Sequence, residues 1–478
     1  MDTSLGRRWP RWRWQAALIC AACALAGFDR AHAQGASAAA RPARDIAAET
    51  AMKIATPFTV VAVGDILEPQ PLRREEAGMM QLLEHVRAAD VAFGNLESSL
   101  IDFAHFQGPF AGSEAPLATG AAVRAMGFTL LNTANNHSFD GGLAGMLSTQ
   151  AELDRLGVVH AGTGGNLQEA RAARYLETPK GRVGLIGMFA VDDSSFIGPA
   201  FAKTEATYRN GNVGGAPGVN TLHLTNYHVV SPQQLRSLRD TARAAYGERG
   251  AAPAGGDGMP ERVRFFDEWF EAGDHPGALH YEMNPGDERD ILRSVRNAKI
   301  YADFVIVSIH AHQATTYREQ GAGGVDHETP GFLVTLAHEC IDNGADMFVA
   351  HGVHALHGVE IYKGKPVFYG TSNFVFQTGL QFGPGDDVLA NNQVAMENPA
   401  SHDGLLTTSR FENGQLAEVR LYPADLGGRR RPLSQMGIPR TPEPAEAQRI
   451  LRELQLYSAR FGTRIAIEGD VGVIRPGR

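Results

Sequence analysis

Along the chain, short apolar runs are each followed by one or two polar residues and then by a stretch of helical spacing. Phe58-Thr-Val-Val-Ala-Val-Gly64 is apolar and largely β-branched, as in a strand covered on both faces, and it ends in Gly64-Asp65. Residues 74–89 have helical periodicity, with Met80, Leu82, Leu83 and Val86 as the face to be buried. Asp90-Val-Ala-Phe-Gly-Asn-Leu-Glu97 repeats the strand with a polar end, supplied by Asn95 and Glu97. A helix over 118–127 leads to the strand Phe128-Thr-Leu-Leu131, which runs into Asn135-Asn136-His137, with Asp140 and Gly141-Gly142 behind it. A helix over 143–156 stops at Gly157, and Arg182–Ala190 is a further strand. The Gly-rich loop His160–Gly165 between them lacks the strand–helix placement of a dinucleotide site and reads as a turn.

Residues 191–287 differ in texture, being rich in Gly, Pro and Ser with few periodic apolar runs beyond a helix near 231–246. They read as an insertion forming a lid or substrate wall. Their histidines, His223, His228, His275 and His280, match no metal-ligand spacing. The alternation then resumes with a helix over 288–300 and the strand Ala302–Ile309, which ends in His310 and His312. A helix over 331–343 precedes Met347–Ala350, which ends in His351-Gly-Val-His354, with His357 beyond. Hairpins turning at Lys363-Gly364 and Asn413-Gly414 flank Asn373–Phe376, and a helix over 444–460 closes the chain. Strands alternating with helices predict an α/β fold: a domain split into 58–190 and 288–424, with 425–478 as a tail and helix.

The strand ends are where the chemistry gathers. Asp65, Asn95, Glu97, Asn136, His137, His310, His351 and His354 converge if these strands lie side by side, since α/β sheets place ligands at strand carboxyl ends. Carboxylate, amide and neutral imidazole together suit one or two borderline divalent ions such as Mn, Fe, Zn or Co. Asp140, three residues past His137, can orient that imidazole through its second nitrogen.

The amino terminus adds an address. Arg7, Arg8, Arg11 and Arg13 precede an apolar run from Ala16 to Ala26, and Ala31-His32-Ala33 offers small residues to a signal peptidase. The run is shorter than the ~20 residues of a membrane span. Residues 1–33 are therefore expected to be a cleaved signal peptide and 34–57 a linker. The mature protein would be periplasmic or secreted, without a stable membrane span. Cleavage leaves Cys340 alone, so an internal disulfide is ruled out. A net charge of −9 argues against nucleic acid as a partner.

The ordered set Gly64-Asp65, Gly94-Asn95-Leu96-Glu97, Ala134-Asn135-Asn136-His137 with Asp140 and Gly141, Ser308-Ile-His310, and His351-x-x-His354 with Gly358-Val-Glu360 resembles the CapA/PgsA capsule-synthesis family of the calcineurin-like metallophosphoesterase superfamily. Asn373-Phe-Val-Phe376 is similar to another of its motifs, with Ser372 in place of Gly. The resemblance implies a layered αββα sandwich and a metal site. Asp65 matches the first acidic ligand, Asn95 or Glu97 the bridging position, Asn136 the amide ligand, and His310, His351 and His354 the later histidines. His137 matches the group that meets the leaving group. Leu67 replaces a motif histidine, Ala311-His312-Gln313 replaces the Trp-Gly that follows His310's counterpart, and the Gly and Pro around His351 are lost. These departures leave His312 or His357 as substitute ligands. The resemblance implies two functions. One is an exported metal-dependent hydrolase of a phosphoester or γ-glutamyl bond. The other is a non-catalytic part of a poly-γ-glutamate assembly or export complex at the membrane. An anionic polymer or small phosphoester is the implied substrate.

Overall fold

A computed structural model describes residues 45–72, 77–192, 206–207, 215–247, 261–316, 327–380 and 397–477. The expected signal peptide, the start of the linker and parts of 191–287 lie outside these residues.

Two sheets carry an α/β fold. The first runs β11 (Gln415–Asp425), β10 (Asp403–Glu412), β1 (Phe58–Leu67), β2 (Val91–Leu96), β3 (Leu130–Asn132) and β4 (Val159–Ala161), and β9 (Asn373–Phe376) adds beside the end of β1. At the core of the second are β6 (Thr221–Val230), β5 (Gly181–Asp192), β7 (Phe304–His310) and β8 (Met347–His351). Neighbours from β1 to β4 and from β6 to β8 are parallel, so their polar ends emerge on one edge of each sheet.

Alternate residues of each strand sort to two faces, as a pleated strand requires. Phe58, Val60 and Ala62 of β1 share one core with Val183 and Leu185 of β5, Phe304 and Ile306 of β7, and Met347 and Val349 of β8. Val61 and Val63 face the other way, onto helices α1 (Ala77–Ala88), α2 (Leu117–Met126) and α3 (Gly142–Leu156). Ile186, Val305, Val307 and Phe348 likewise meet α5 (Pro285–Tyr301) and α6 (Gly331–Asp342). Each sheet is therefore apolar on both sides, which is why its strands read as near-continuous apolar runs.

The structure differs from the sequence reading in several places. Met79, not Met80, joins Leu82, Leu83 and Val86 as the buried face of α1, completing an i, i+3, i+4, i+7 stripe. The turn expected over His160–Gly165 contains the end of β4 and a two-residue strand, Thr163–Gly164. Among its described residues the segment 191–287, in which few periodic apolar runs are expected, holds four substantial strands. Besides β6 these are Arg262–Phe265, Glu268–Ala272 and Leu279–Met283, and α4 (Pro232–Tyr246) runs among them. Since β6 pairs with β5 and then Glu268–Ala272 along one side and with Leu279–Met283 on the other, much of the segment extends the second sheet. In the tail, Ile450, Leu451 and Leu454 of α7 (Pro444–Ala459) enter the shared core.

Candidate metal centre

Register brings the polar ends together. Asp65 of β1 stands opposite Asn95 of β2, and Asn95 opposite Asn132 of β3. In the second sheet His310 of β7 stands opposite His351 of β8. A register shift between Ala62 and Asp65 re-aims the end of β1. Gly64 permits it, because a Cβ there would lie 1.7 Å from the Ser372 carbonyl oxygen, whose partner is the Asp65 N–H. Gly64→Ala is therefore expected to destabilise the protein by roughly 1–3 kcal/mol, the range for overpacking, read by denaturant unfolding. Ser372 and His354 hold φ of +54° and +53°. Two non-glycine residues in the left-handed region beside one carboxylate is strain of the kind that collects at functional sites.

Asp65 is fully buried and central. Its Oδ1 accepts from Asn95 Nδ2 at 2.8 Å, and its Oδ2 from the Gly352 N–H at 3.1 Å. Nδ1 of His351 lies 3.3 Å, and Nδ1 of His310 3.7 Å, from Oδ1; Nδ1 of His354 lies 3.4 Å from Oδ2. Burial alone would raise the Asp65 carboxyl, but hydrogen bonding to His310, His351 and His354 holds it well below the usual carboxylate range. Burial pushes His310 down to about 3, and His312 well below its ordinary value, so both rings are neutral and present lone pairs.

Glu97 is the clearest sign of a missing partner. Its carboxylate is fully buried, and among the described residues neither oxygen has a hydrogen-bond partner. Oε1 instead faces Nε2 of His310 at 3.5 Å and Nε2 of His137 at 3.9 Å. Burial, with the charges of Asp65 and Asp140, pushes this carboxyl well above its ordinary value. Among the described residues the amide oxygen of Asn136 is also buried without a partner. Unpaired buried acceptors are costly, and a divalent cation could satisfy them together.

Two sets of ligand atoms, Asp65 with His310 and His351, and Glu97 with His310 and His312, each lie within 4.8 Å of one another, and Asp65, Glu97 and His354 form a third. In the first, His310 and His351 present Nδ1 atoms 3.0 Å apart. Tetrahedral bonds of about 2.0–2.1 Å set ligand atoms about 3.3 Å apart, so the triangle of Asp65 Oδ1 and these two nitrogens is of the size such an ion needs. His312, with its Nε2 2.8 Å from His310 Nε2, belongs to the second of these sets. His357 is buried near Gly370 and joins none of these sets.

Outside the ligand sets, His137 Nδ1 lies 2.7 Å from Asp140 Oδ2. Burial lowers His137, but the charge and hydrogen bond of Asp140 outweigh it and leave this imidazole above its ordinary value. Ser308 Oγ, 2.8 Å from His351 Nε2, and Asn373 Oδ1, 2.8 Å from His354 Nδ1, orient two of the histidines. The amide oxygen of Asn95 accepts from Asn132 at 2.7 Å and from Asn135 at 3.0 Å. Of the histidines in 191–287, His223 pairs with Asp287, His228 with Glu268 and His280 with Glu271. His223→Ala is accordingly expected to leave metal content unchanged in elemental analysis.

The family model described as bacterial capsule synthesis protein PGA_cap matches residues 59–378, a stretch that includes every candidate ligand above. The chain belongs to this family. Among relatives, the uncharacterized protein y4sH of Sinorhizobium fredii is 36% identical over 467 residues, covering 90% of this chain and 96% of its own length. The PGA biosynthesis protein CapA of Bacillus subtilis is 24% identical over 66% of this chain and 63% of its own length. The capsule biosynthesis protein CapA of Bacillus anthracis is 23% identical over 67% and 60%. β10, β11 and α7 lie beyond the matched residues, and they complete the shared core.

Proposed function

We propose that this PGA_cap protein is an exported metal-dependent hydrolase, acting on a phosphoester or γ-glutamyl bond in the synthesis of a capsule or poly-γ-glutamate. The observation that carries the reading is the Glu97 carboxylate, buried without a hydrogen-bond partner among neutral imidazoles and beside ionised Asp65. Asp65, Glu97, Asn136, His310, His312, His351 and His354 would hold one or two divalent ions of the Mn, Fe, Zn or Co type. When bound, such an ion supplies a water of near-neutral pKa and a positive clamp on the scissile group.

The chain's own residues do the rest. Asp140 accepts the Nδ1 proton of His137, which fixes the ring and leaves Nε2 directed toward the side chain of Glu97. From there His137 delivers its Nε2 proton to a leaving oxygen or nitrogen. Asn95 and Gly352 hold Asp65 by donating to its two oxygens. The facing sheets with helices outside support the metallophosphoesterase type of sandwich as the scaffold. No described helix is long and apolar enough to cross a membrane. The Arg-rich start and Ala31-His32-Ala33 support processing near Gln34, with the mature protein in the periplasm or secreted.

Chelation tests the metal part. Ligand binding stabilises by about 2.7 kcal/mol at a hundredfold excess over Kd, so stripping the protein should lower its melting temperature by several degrees, and adding Mn, Zn or Co should restore it. An unchanged melting temperature with no bound metal would count against the site.

A further inference from the structure

The orientation of Asn95 follows from two backbone carbonyls. The two ends of an amide side chain are told apart by their partners. Asn132 Nδ2 lies 2.9 Å from the Ala134 carbonyl oxygen, and Asn135 Nδ2 lies 2.8 Å from that of Leu96. A carbonyl only accepts, so both of these atoms are nitrogens. Both also meet one atom of Asn95, at 2.7 and 3.0 Å, which must therefore be its oxygen. The Asn95 nitrogen is then the atom 2.8 Å from Asp65 Oδ1 and 3.2 Å from His310 Nδ1.

We infer that Asn132 and Asn135 are positioning residues that aim the Asn95 amide as a donor into the metal centre. There Asn95 orients the Asp65 carboxylate by donating to Oδ1 and does not ligate the ion; the lone pair of His310 Nδ1 stays with the ion. The inference rests on the metal reading above. It gives a use to the polar end of β3, since Asn132 is fully buried. It also explains a glycine in the facing sheet: a Cβ at Gly187 of β5 would lie 2.1 Å from Asn132 Oδ1. The amide row thus runs from Asn132 of β3, packed against Gly187 of β5, through Asn95 of β2 to Asp65 of β1.

The test is a Co2+ titration of the metal-stripped full chain, followed by visible absorption. Asn132→Ala, and the equally shaped Asn132→Asp, whose carboxylate cannot donate to Asn95, should each weaken Co2+ binding roughly 10–100-fold and shift the absorption bands. Gly187→Ala, which displaces Asn132 from the other sheet, should do the same. In an Asn95→Ala background, Asn132→Ala should weaken binding no further, because its route to the ion has been removed. Wild-type affinity in a folded Asn132→Asp protein, or an undiminished effect of Asn132→Ala in the Asn95→Ala background, overturns the inference while leaving the metal site standing. A wild-type protein that binds no Co2+ overturns the metal reading, and this inference with it.

Discussion

Asp65→Ala is expected to lose bound metal and most of the protein's response to added metal. Asp65 sits at the heart of the centre, since it faces His310, His351 and His354 and accepts from Asn95 and Gly352. Loss of an outer-shell partner already costs about 10–100-fold in affinity, and loss of a direct ligand should exceed that. The variant should also be less stable without metal, because two buried donors lose their acceptor at about 1–3 kcal/mol each. The two effects separate cleanly. Stoichiometry by elemental analysis reads the first, and the melting temperature of the stripped variant against stripped wild type reads the second. Wild-type stoichiometry in Asp65→Ala would place the ion elsewhere.

The second large effect belongs to His137. His137→Gln should lower turnover by about 10²–10⁴ while metal content stays at the wild-type level, because the ring works on the proton of the leaving group and is not assigned as a primary ligand. Asp140→Asn should cost less, since it weakens the orientation of the ring without removing the proton carrier. Single-turnover kinetics on metal-replete protein is the appropriate measurement, because it separates the chemical step from product release. Wild-type rates in His137→Gln would make the imidazole a structural group.

Much of this centre was legible in the sequence, for a physical reason. A strand buried on both faces has few places for a polar side chain, so Asp65, Asn95, Glu97, His310 and His351 stand out at the ends of apolar runs. Asn132 ends β3 as a polar residue too, but Asn135-Asn136-His137 follow so closely that nothing in the sequence separates its role from theirs. Its role depends on β2 and β5 lying close by, which is tertiary information. The direction of the Asn95 amide was hidden for the same reason. Residue type shows that an amide is present, but only its partners show which end faces the ion.

The fold was least legible in 191–287. The strand β6 reads Thr-Leu-His-Leu-Thr-Asn-Tyr-His-Val-Val, with polar residues between apolar ones, and it lies in Gly- and Pro-rich surroundings. Period-two patterning of that kind marks a strand with one face less buried, unlike the continuous runs of β1 and β7. Its histidines invite a metal assignment, yet acidic neighbours account for His223, His228 and His280.

The most direct measurement is hydrolysis by metal-replete, folded protein of a panel of phosphoesters and γ-glutamyl peptides, before and after chelation. The account predicts that at least one substrate is cleaved, that chelation abolishes the activity, and that readdition of Mn, Fe, Zn or Co restores it. Cleavage that survives complete removal of metal would contradict it. So would the absence of cleavage in metal-replete protein that binds poly-γ-glutamate, the behaviour of a non-catalytic component of polymer assembly.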